Sequence, residues 1–192
     1  MEALASFETL NAEILASRSA TRTLAAWCAL HRLAPDPKIR AIRVPNADAP
    51  VTKIQRERLQ IGPTEPVHHR RVRLSCGTHV LSEADNWFVP SRLTADMNKV
   101  LDTTDTPFGL VVADLHPTRE TFDATVLWRP LPPNWQEQPP PPDHPDQTLA
   151  IPPILFEHHA LLYDSAHRPI SEVDERYTRD VLSFDGGPKE LR

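Results

Sequence analysis

The sequence predicts an α+β fold, in which helices pack on one face of a single antiparallel β-sheet. In the N-terminal part, apolar residues recur every three or four positions, which is the spacing of amphipathic helices. Further along the chain, apolar and polar residues alternate, as they do in half-buried strands. Short turns join most of these segments, and short turns connect antiparallel neighbours. The count is two N-terminal helices, five to seven strands and one inner helix.

The two N-terminal helices are expected over residues 2–17 and 20–33, as a hairpin or as one bent helix. Their apolar stripes are Leu4, Phe7, Leu10 and Ile14 in the first and Leu24, Trp27 and Cys28 in the second. A short strand over residues 39–44 follows. Residues 45–65 show no regular pattern, and within them Gln55–Leu59 fits either a helical turn or part of a strand.

The clearest strand is Val67–Cys76, in which Val72 and Leu74 alternate with Arg71, Arg73 and Ser75. Arg70 falls on the same face as Val72 and Leu74. Arg71 falls on the opposite face. A guanidinium on an apolar face is costly unless it meets an anion, so Arg70 is a candidate anion-binding residue.

The rest of the sheet is predicted from alternation and turn residues. A second strand over residues 80–89 stops at Pro90, and Thr94 is the expected N-cap of the inner helix. The remaining predicted strands are Leu110–Leu115, Phe122–Trp128, Ile154–Tyr163 and Ile170–Leu182. On the last of these, Glu175 shares a face with apolar residues, which favours its protonated form.

Residues 129–153 contain ten prolines and cannot form a helix or a central strand. They are expected to be a surface loop inserted into one domain that spans residues 1–192. Such an insertion is most often merely tolerated. The alternative is a segment that contacts a proline-binding protein partner or covers a pocket.

Charge and composition exclude several classes of protein. The net charge of -5 argues against general nucleic-acid binding, which needs a basic face. No stretch approaches the roughly 20 apolar residues of a membrane span, and the acidic N-terminus does not resemble a secretory signal. Cys28 and Cys76 are not in a C-x-x-C pair and are expected to be reduced, buried thiols. We therefore expect a cytoplasmic protein.

Other polar groupings in the sequence indicate no metal site and no cofactor. The pairs His68-His69 and His158-His159 are adjacent in strands, so the members of each pair point to opposite faces. Glu83 and Asp85 share a face, but a solvated role is more common for such a pair than acid/base chemistry. There is no phosphate-binding glycine loop and no nucleophile elbow.

Four short motifs occur in a fixed order between residues 66 and 182. Arg70–Leu74 matches R-x-V-x-L at the start of a long strand, and Phe88-Val89-Pro90 corresponds to V-x-P or V-V-P at the end of the next. Thr106–Gly109 matches a T-P-L-G turn. The last motif is a turn followed by a strand, G-K-P and then L-x-T-E-x-F, to which His167–Pro169 and Val173–Tyr177 correspond.

In this order the motifs resemble those of the chorismate lyase family, of which the chain would be a divergent member. The family's fold is a six-stranded antiparallel sheet with helices on one side, and the ligand-binding (UTRA-type) domains of GntR-type regulators share it. The resemblance implies that Arg70 grips a ring carboxylate and that Glu175 contacts the far oxygen of the ring. A gap-free count selects Arg71 in place of Arg70. The resemblance further implies substrate contacts at Asn86, at the main chain of Phe108 and Gly109, and at His158.

Three functions remain open at this point. The first is cofactor-free elimination of pyruvate from chorismate or a related aromatic or enolpyruvyl acid, with Arg70 and Glu175 as catalytic residues and Glu175 as proton donor. The second is non-catalytic binding of a small aromatic carboxylic acid, as a sensor or carrier, because no basic recognition helix precedes Arg70. The third is a protein-interaction adaptor that uses the proline-rich segment.

Deleting residues 136–146 is expected to leave the fold intact, because the segment is polar and proline-rich and buries little surface. Loop-closure entropy changes slowly with length, so the shorter loop should cost at most about 1 kcal/mol. Thermal unfolding of the deletion variant, with and without a bound aromatic acid, checks this. A large fall in the ligand-free melting temperature would show that the prolines pack on the core.

Overall fold

The computed structural model describes residues 2–131, 134, 137 and 149–184. Most of the proline-rich segment, including nearly all of the residues in the proposed deletion, lies outside this range. The expected loop conformation of that segment therefore stays a prediction. No helix among the described residues is long and apolar enough to cross a membrane.

Six strands form one sheet, and every neighbouring pair is antiparallel. The strands are β1 Ile39–Arg43, β2 His68–Cys76, β3 His79–Phe88, β4 Thr118–Val126, β5 Ile154–Tyr163 and β6 Pro169–Thr178. Their order across the sheet is β1-β2-β3-β6-β5-β4. The predicted α+β class with one antiparallel sheet is confirmed.

In the described part of the chain, five α-helices accompany the sheet. They are α1 Glu2–Ala16, α2 Ala20–Leu30, α3 Lys53–Arg58, α4 Ala95–Thr103 and α5 Phe108–Val111. Each of α2, α3 and α4 begins at a hydroxyl N-cap, because a side-chain oxygen there satisfies a free backbone N–H. Ser19 accepts from Arg22 N, and Thr94, the predicted cap, accepts from Met97 N. Thr52 forms a capping box with Gln55, so the ambiguous segment begins a helix.

The main core lies between one face of the sheet and helices α1, α2, α4 and α5. Phe7 of α1 is fully buried, and its ring centroid lies 5.2 Å from that of Trp128 and 6.4 Å from that of Phe156. Trp27 of α2 donates its indole N–H to Val181 O at 2.8 Å. The apolar stripes of the two N-terminal helices therefore cover the sheet as their spacing indicates.

The short helix α3 lies against the other face of the sheet, so the helices do not all share one side. Leu59, which follows α3, packs with Val89, Leu161 and Tyr163 in a second, smaller cluster. Arg58 of α3 forms a 2.9 Å ion pair with Glu172 of β6. Residues 45–65, which show no regular sequence pattern, therefore contain a helix that covers the second face of the sheet.

The predicted strand Leu110–Leu115 is wrong. This segment forms α5 and a 3₁₀ turn at Ala113–Leu115. Leu110 N and Val111 N both bond to Pro107 O, which closes a helical turn directly after the proline. Periodicity cannot separate a short apolar run in a helix from one in a strand. The preceding proline, which often opens a helix, was the available signal.

The prediction that Cys28 and Cys76 are reduced thiols is also wrong, because the two form a disulfide. Helix α2 packs across the end of β2 and brings their Cα atoms to 6.3 Å, within the range that a disulfide spans. The bond ties α2 to β2. It also removes reduced thiols as an argument for a cytoplasmic location.

Candidate functional site

A cavity lies between the sheet and the N-terminal ends of α2 and α5. It holds about 660 Å³ of space between atoms, its open mouth included. The floor is largely apolar and is made by Val72, Leu74, Ala84 and Val173. Ser19–Thr21 of α2 and Phe108 form the opposite wall. A Cβ atom on Gly109 would lie 3.4 Å from Ser19 Oγ, so a small residue allows the two helix ends to meet here.

The antiparallel register places Arg70 and Glu175 on the floor of this cavity. Arg70 of β2 pairs with Asn86 of β3, which pairs with Val173 of β6. Two residues further along, Val72 pairs with Ala84, which pairs with Glu175. Partners across antiparallel strands point to the same face. Arg70, Asn86 and Glu175 therefore line one cavity, together with Phe108 and Gly109.

Arg70 is buried without an anionic partner among the described residues, with 5% of its surface exposed. Its Nη1 donates to Thr106 O at 3.0 Å, and its Nη2 donates to Thr104 O at 2.9 Å. The Nε atom has no hydrogen-bond partner in the described part of the chain. Burial and the nearby cation of Arg43 lower the pKa of Arg70. An arginine nevertheless remains charged in a protein, so this is a buried cation with donor capacity to spare.

Arg119 of β4 is a second buried cation, which the sequence analysis missed. Its side chain is 2% exposed, and its Nη2 donates to Glu175 Oε2 at 2.7 Å. Burial acts to lower the pKa of Arg119, but the charges of Glu175 and Tyr177 and the hydrogen bond to Glu175 together outweigh that effect, and the pKa is raised. The predicted strand began at Phe122 and left Arg119 outside. Residues 118–121 are all polar, so no apolar–polar alternation indicates a strand at Arg119.

Glu175 therefore has polar partners where the sequence predicted apolar neighbours. Besides the ion pair with Arg119, its Oε2 accepts a hydrogen bond from the Tyr177 hydroxyl at 2.8 Å. Tyr177 is fully buried, and burial followed by the charge of Glu175 raises its pKa well above the usual value. The hydroxyl thus stays protonated and donates. Both donors bind the same carboxylate oxygen, so Glu175 Oε2 acts as a hydrogen-bond acceptor in the cavity.

Arg71 lies on the opposite face of the sheet and does not line the cavity. Its Nε donates to Asp85 Oδ1 at 2.7 Å, and His69 Nε2 lies 2.8 Å from the same oxygen. Although burial acts to raise the pKa of Asp85, these two partners lower it. Glu83, on the same face, pairs with Arg73 at 3.2 Å. The acidic pair of this face is thus engaged in ion pairs and is not brought together as an acid/base site.

Two other predicted contact residues differ in position. Asn86 lines the cavity with 6% of its surface exposed, and its Oδ1 has no partner in the described chain. His158 of β5 is fully buried on the same face of the sheet as its cross-strand partner Glu175, but it is covered by α1, where its Nε2 is 2.8 Å from Asn11 Oδ1. His158 is therefore not among the residues that line the cavity.

The chain was compared with protein families, with curated proteins and with solved structures. No family model matches it. The uncharacterized protein y4mC of Sinorhizobium fredii (strain NBRC 101917 / NGR234) is 49% identical over 185 residues, which is 96% of this chain and 78% of the relative.

Among solved structures, the effector domain of PhnF from Mycobacterium smegmatis is similar, with a TM-score of 0.51 and 13% identity over 84% of this chain and 89% of that one. The ligand-binding domain of a putative GntR-family regulator from Bordetella bronchiseptica has a TM-score of 0.46 and 17% identity, and the match covers 83% and 95% of the two chains. At this identity the likeness to the PhnF domain shows the fold alone. The predicted chorismate lyase-like fold is confirmed.

Replacing Arg119 by methionine is expected to lower the free energy of unfolding by roughly 3–5 kcal/mol, because Glu175 is left buried and unpaired. Adding Glu175→Gln should restore part of that loss. The control is Arg73→Ala, which breaks an exposed pair and should cost less than about 1 kcal/mol. Urea unfolding of the three variants measures these values. A loss below about 1 kcal/mol for Arg119→Met would contradict the buried pair.

Acid should destabilise the fold through His158, whose pKa is lowered to about 4 by burial and by the charge of Arg119. Between its ordinary value of 6.5 and about 4, the unfolded chain binds a proton that the folded chain excludes. Stability is therefore complete above that window and falls as the pH drops through it, by up to roughly 3 kcal/mol.

The measurement is urea unfolding at a series of pH values between 7 and 4. His158→Gln keeps a hydrogen-bonding side chain but cannot titrate, so its stability should fall less over this range. The matched control is His68→Gln, at an exposed position, which should retain the full pH dependence. Equal slopes for the His158 variant and the unmodified protein would refute the assignment.

Proposed function

We propose that this chain, which belongs to the same family as the uncharacterized protein y4mC of Sinorhizobium fredii, binds a small aromatic carboxylic acid in the cavity on the covered face of its sheet. The observation that carries the proposal is Arg70, a buried guanidinium with no carboxylate in hydrogen-bonding distance among the described residues. A carboxylate ligand would supply the missing anion, and a buried charge is far less costly when it is paired.

The way in which Arg70 is held favours this role. Two carbonyl groups of the loop between α4 and α5, those of Thr104 and Thr106, fix the guanidinium in place. Its Nε edge remains for a further acceptor. Guanidinium and carboxylate groups match in a bidentate geometry, and a donor that is already oriented loses little freedom on binding.

The rest of the cavity suits the body of an aromatic acid. Val72, Leu74, Leu162 and Val173 provide apolar surface, and Phe108 provides an aromatic ring. Small-molecule sites are typically apolar with a few polar groups that fix orientation. A ring would therefore bury apolar area against the floor while its carboxylate contacts Arg70.

The contacts of Glu175 favour a binding protein and argue against chorismate lyase activity. Elimination of pyruvate would require a proton donor at the ether oxygen of the substrate. Glu175, the candidate donor, is ion-paired to Arg119 and accepts a hydrogen bond from Tyr177. Both contacts hold Glu175 as an acceptor and do not place it to donate to a substrate, so we expect chorismate to bind without release of pyruvate.

Arg70→Ala is expected to weaken binding of 4-hydroxybenzoate by at least about thirtyfold, the equivalent of the roughly 2–5 kcal/mol that a buried charged contact contributes. Arg71→Ala removes an arginine of the same strand from the outer face and should change the affinity less than threefold. Isothermal titration calorimetry measures both, and melting temperatures verify that each variant is folded. The reverse result would show that Arg71 is the ligand-binding arginine.

Incubation with chorismate separates the remaining functions. Release of pyruvate and 4-hydroxybenzoate by the unmodified protein, lost in Glu175→Gln, would establish a lyase in place of a binding protein. If neither product forms and no aromatic acid binds, the proposal fails and the protein-interaction hypothesis is favoured.

A further inference from the structure

We infer that the acid bound in this cavity carries a single negative charge and a hydroxyl group next to its carboxylate. Its carboxylate contacts Arg70, and its hydroxyl donates to the side-chain oxygen of Asn86. This inference rests on the proposed function and names the class of acid, a monoanionic hydroxy acid with an apolar or aromatic body.

The number of negative charges on the bound acid follows from the charged side chains of the cavity. Arg119 is already neutralised by Glu175, at 2.7 Å. Arg18 at the mouth is exposed, so water screens its charge. The charges of Asp105 and Asp102 act on Arg70 from a distance and are opposed by the cation of Arg43. Arg70 is thus the buried cation of the floor that has no carboxylate within hydrogen-bonding distance in the described chain. One carboxylate balances it, whereas a second would place uncompensated negative charge beside Glu175.

The unpartnered atoms of Arg70 and Asn86 indicate which group the ligand carries next to its carboxylate. Arg70 Nε is a donor and Asn86 Oδ1 is an acceptor, and both are buried without a partner among the described residues. The two residues are direct partners across β2 and β3, yet these atoms do not bond to each other. Directly opposed side chains start roughly 5 Å apart. A ligand that satisfies both atoms must present an acceptor and a donor side by side.

A hydroxyl next to a carboxylate has this arrangement. The carboxylate oxygen accepts from Arg70 Nε, and the neighbouring hydroxyl donates to Asn86 Oδ1. An acid without the hydroxyl would leave the amide oxygen buried and unsatisfied, which is costly. Asn86 is therefore a specificity-determining residue, separate from the arginine that provides the charge contact.

A third atom of the cavity, Arg119 Nε, also lacks a partner among the described residues. Its distance from Arg70 fits the length of such a ligand. The Arg119 guanidinium reaches Glu175 on β6, and β6 is two strands away from β2. Two strand spacings are roughly 10 Å. A ring attached to the hydroxy acid spans most of that distance, and because Arg119 is already paired with Glu175, a neutral oxygen at the far end would suffice.

The test compares mandelate with phenylacetate, which differ only in the hydroxyl next to the carboxylate. Calorimetry on the unmodified protein should show one enantiomer of mandelate binding about tenfold more tightly than phenylacetate. In Asn86→Leu the two acids should bind equally. The matched control is Ser171→Ala, since Ser171 is also buried with an unpartnered oxygen on this face of the sheet but does not line the cavity. It should keep the tenfold preference.

The outcomes separate this inference from the proposed function. Equal binding of mandelate and phenylacetate to the unmodified protein overturns the inference while aromatic-acid binding stands. A preference that survives in Asn86→Leu overturns the role of Asn86. If neither acid nor 4-hydroxybenzoate binds, both the inference and the proposed function fail. The unmodified protein alone decides the first comparison, so a poorly folded variant does not prevent the test.

Discussion

The cavity depends on one constraint: charged side chains on the covered face of the sheet are buried and need partners. The alternation of the strands turns Arg70 and Glu175 towards the helices, where water cannot solvate them. Glu175 is stabilised by Arg119, which reaches it from the edge strand β4, and by the Tyr177 hydroxyl. Among the described residues, Arg70 donates only to backbone carbonyls. This asymmetry leaves one buried cation for a ligand, which explains why an anion is the expected occupant.

Charged side chains are paired differently on the two faces of the sheet. On the outer face Asp85 forms ion pairs with Arg71, His69 and Arg176, so its charge is compensated within the protein. The two arginines of this group remain partly open to solvent, whereas the inner face is closed by helices. Two adjacent arginines on one strand therefore differ: Arg71 belongs to an ion-pair network, and Arg70 has an Nε atom without a hydrogen-bond partner among the described residues.

Two sets of contacts hold the walls of the cavity in place. The Cys28–Cys76 disulfide fixes α2 against the end of β2, and the opposite end of α2 forms the wall above the floor. Arg70 in turn holds the loop that leads to Phe108. A rigid scaffold of this kind keeps polar groups oriented before a ligand arrives, which lowers the entropy lost on binding.

The sequence by itself determined the helices α1 and α2, the long hairpins and the face on which Arg70 and Glu175 lie, because these follow from periods of 3.6 and 2 that are local properties. It did not determine the helical turn after Pro107, since four apolar residues fit either period. It also could not determine the disulfide, the second-face position of α3 or the partnership of Arg119 with Glu175. These depend on strand order and on contacts between residues distant in the chain, and only the tertiary structure decides which of them meet.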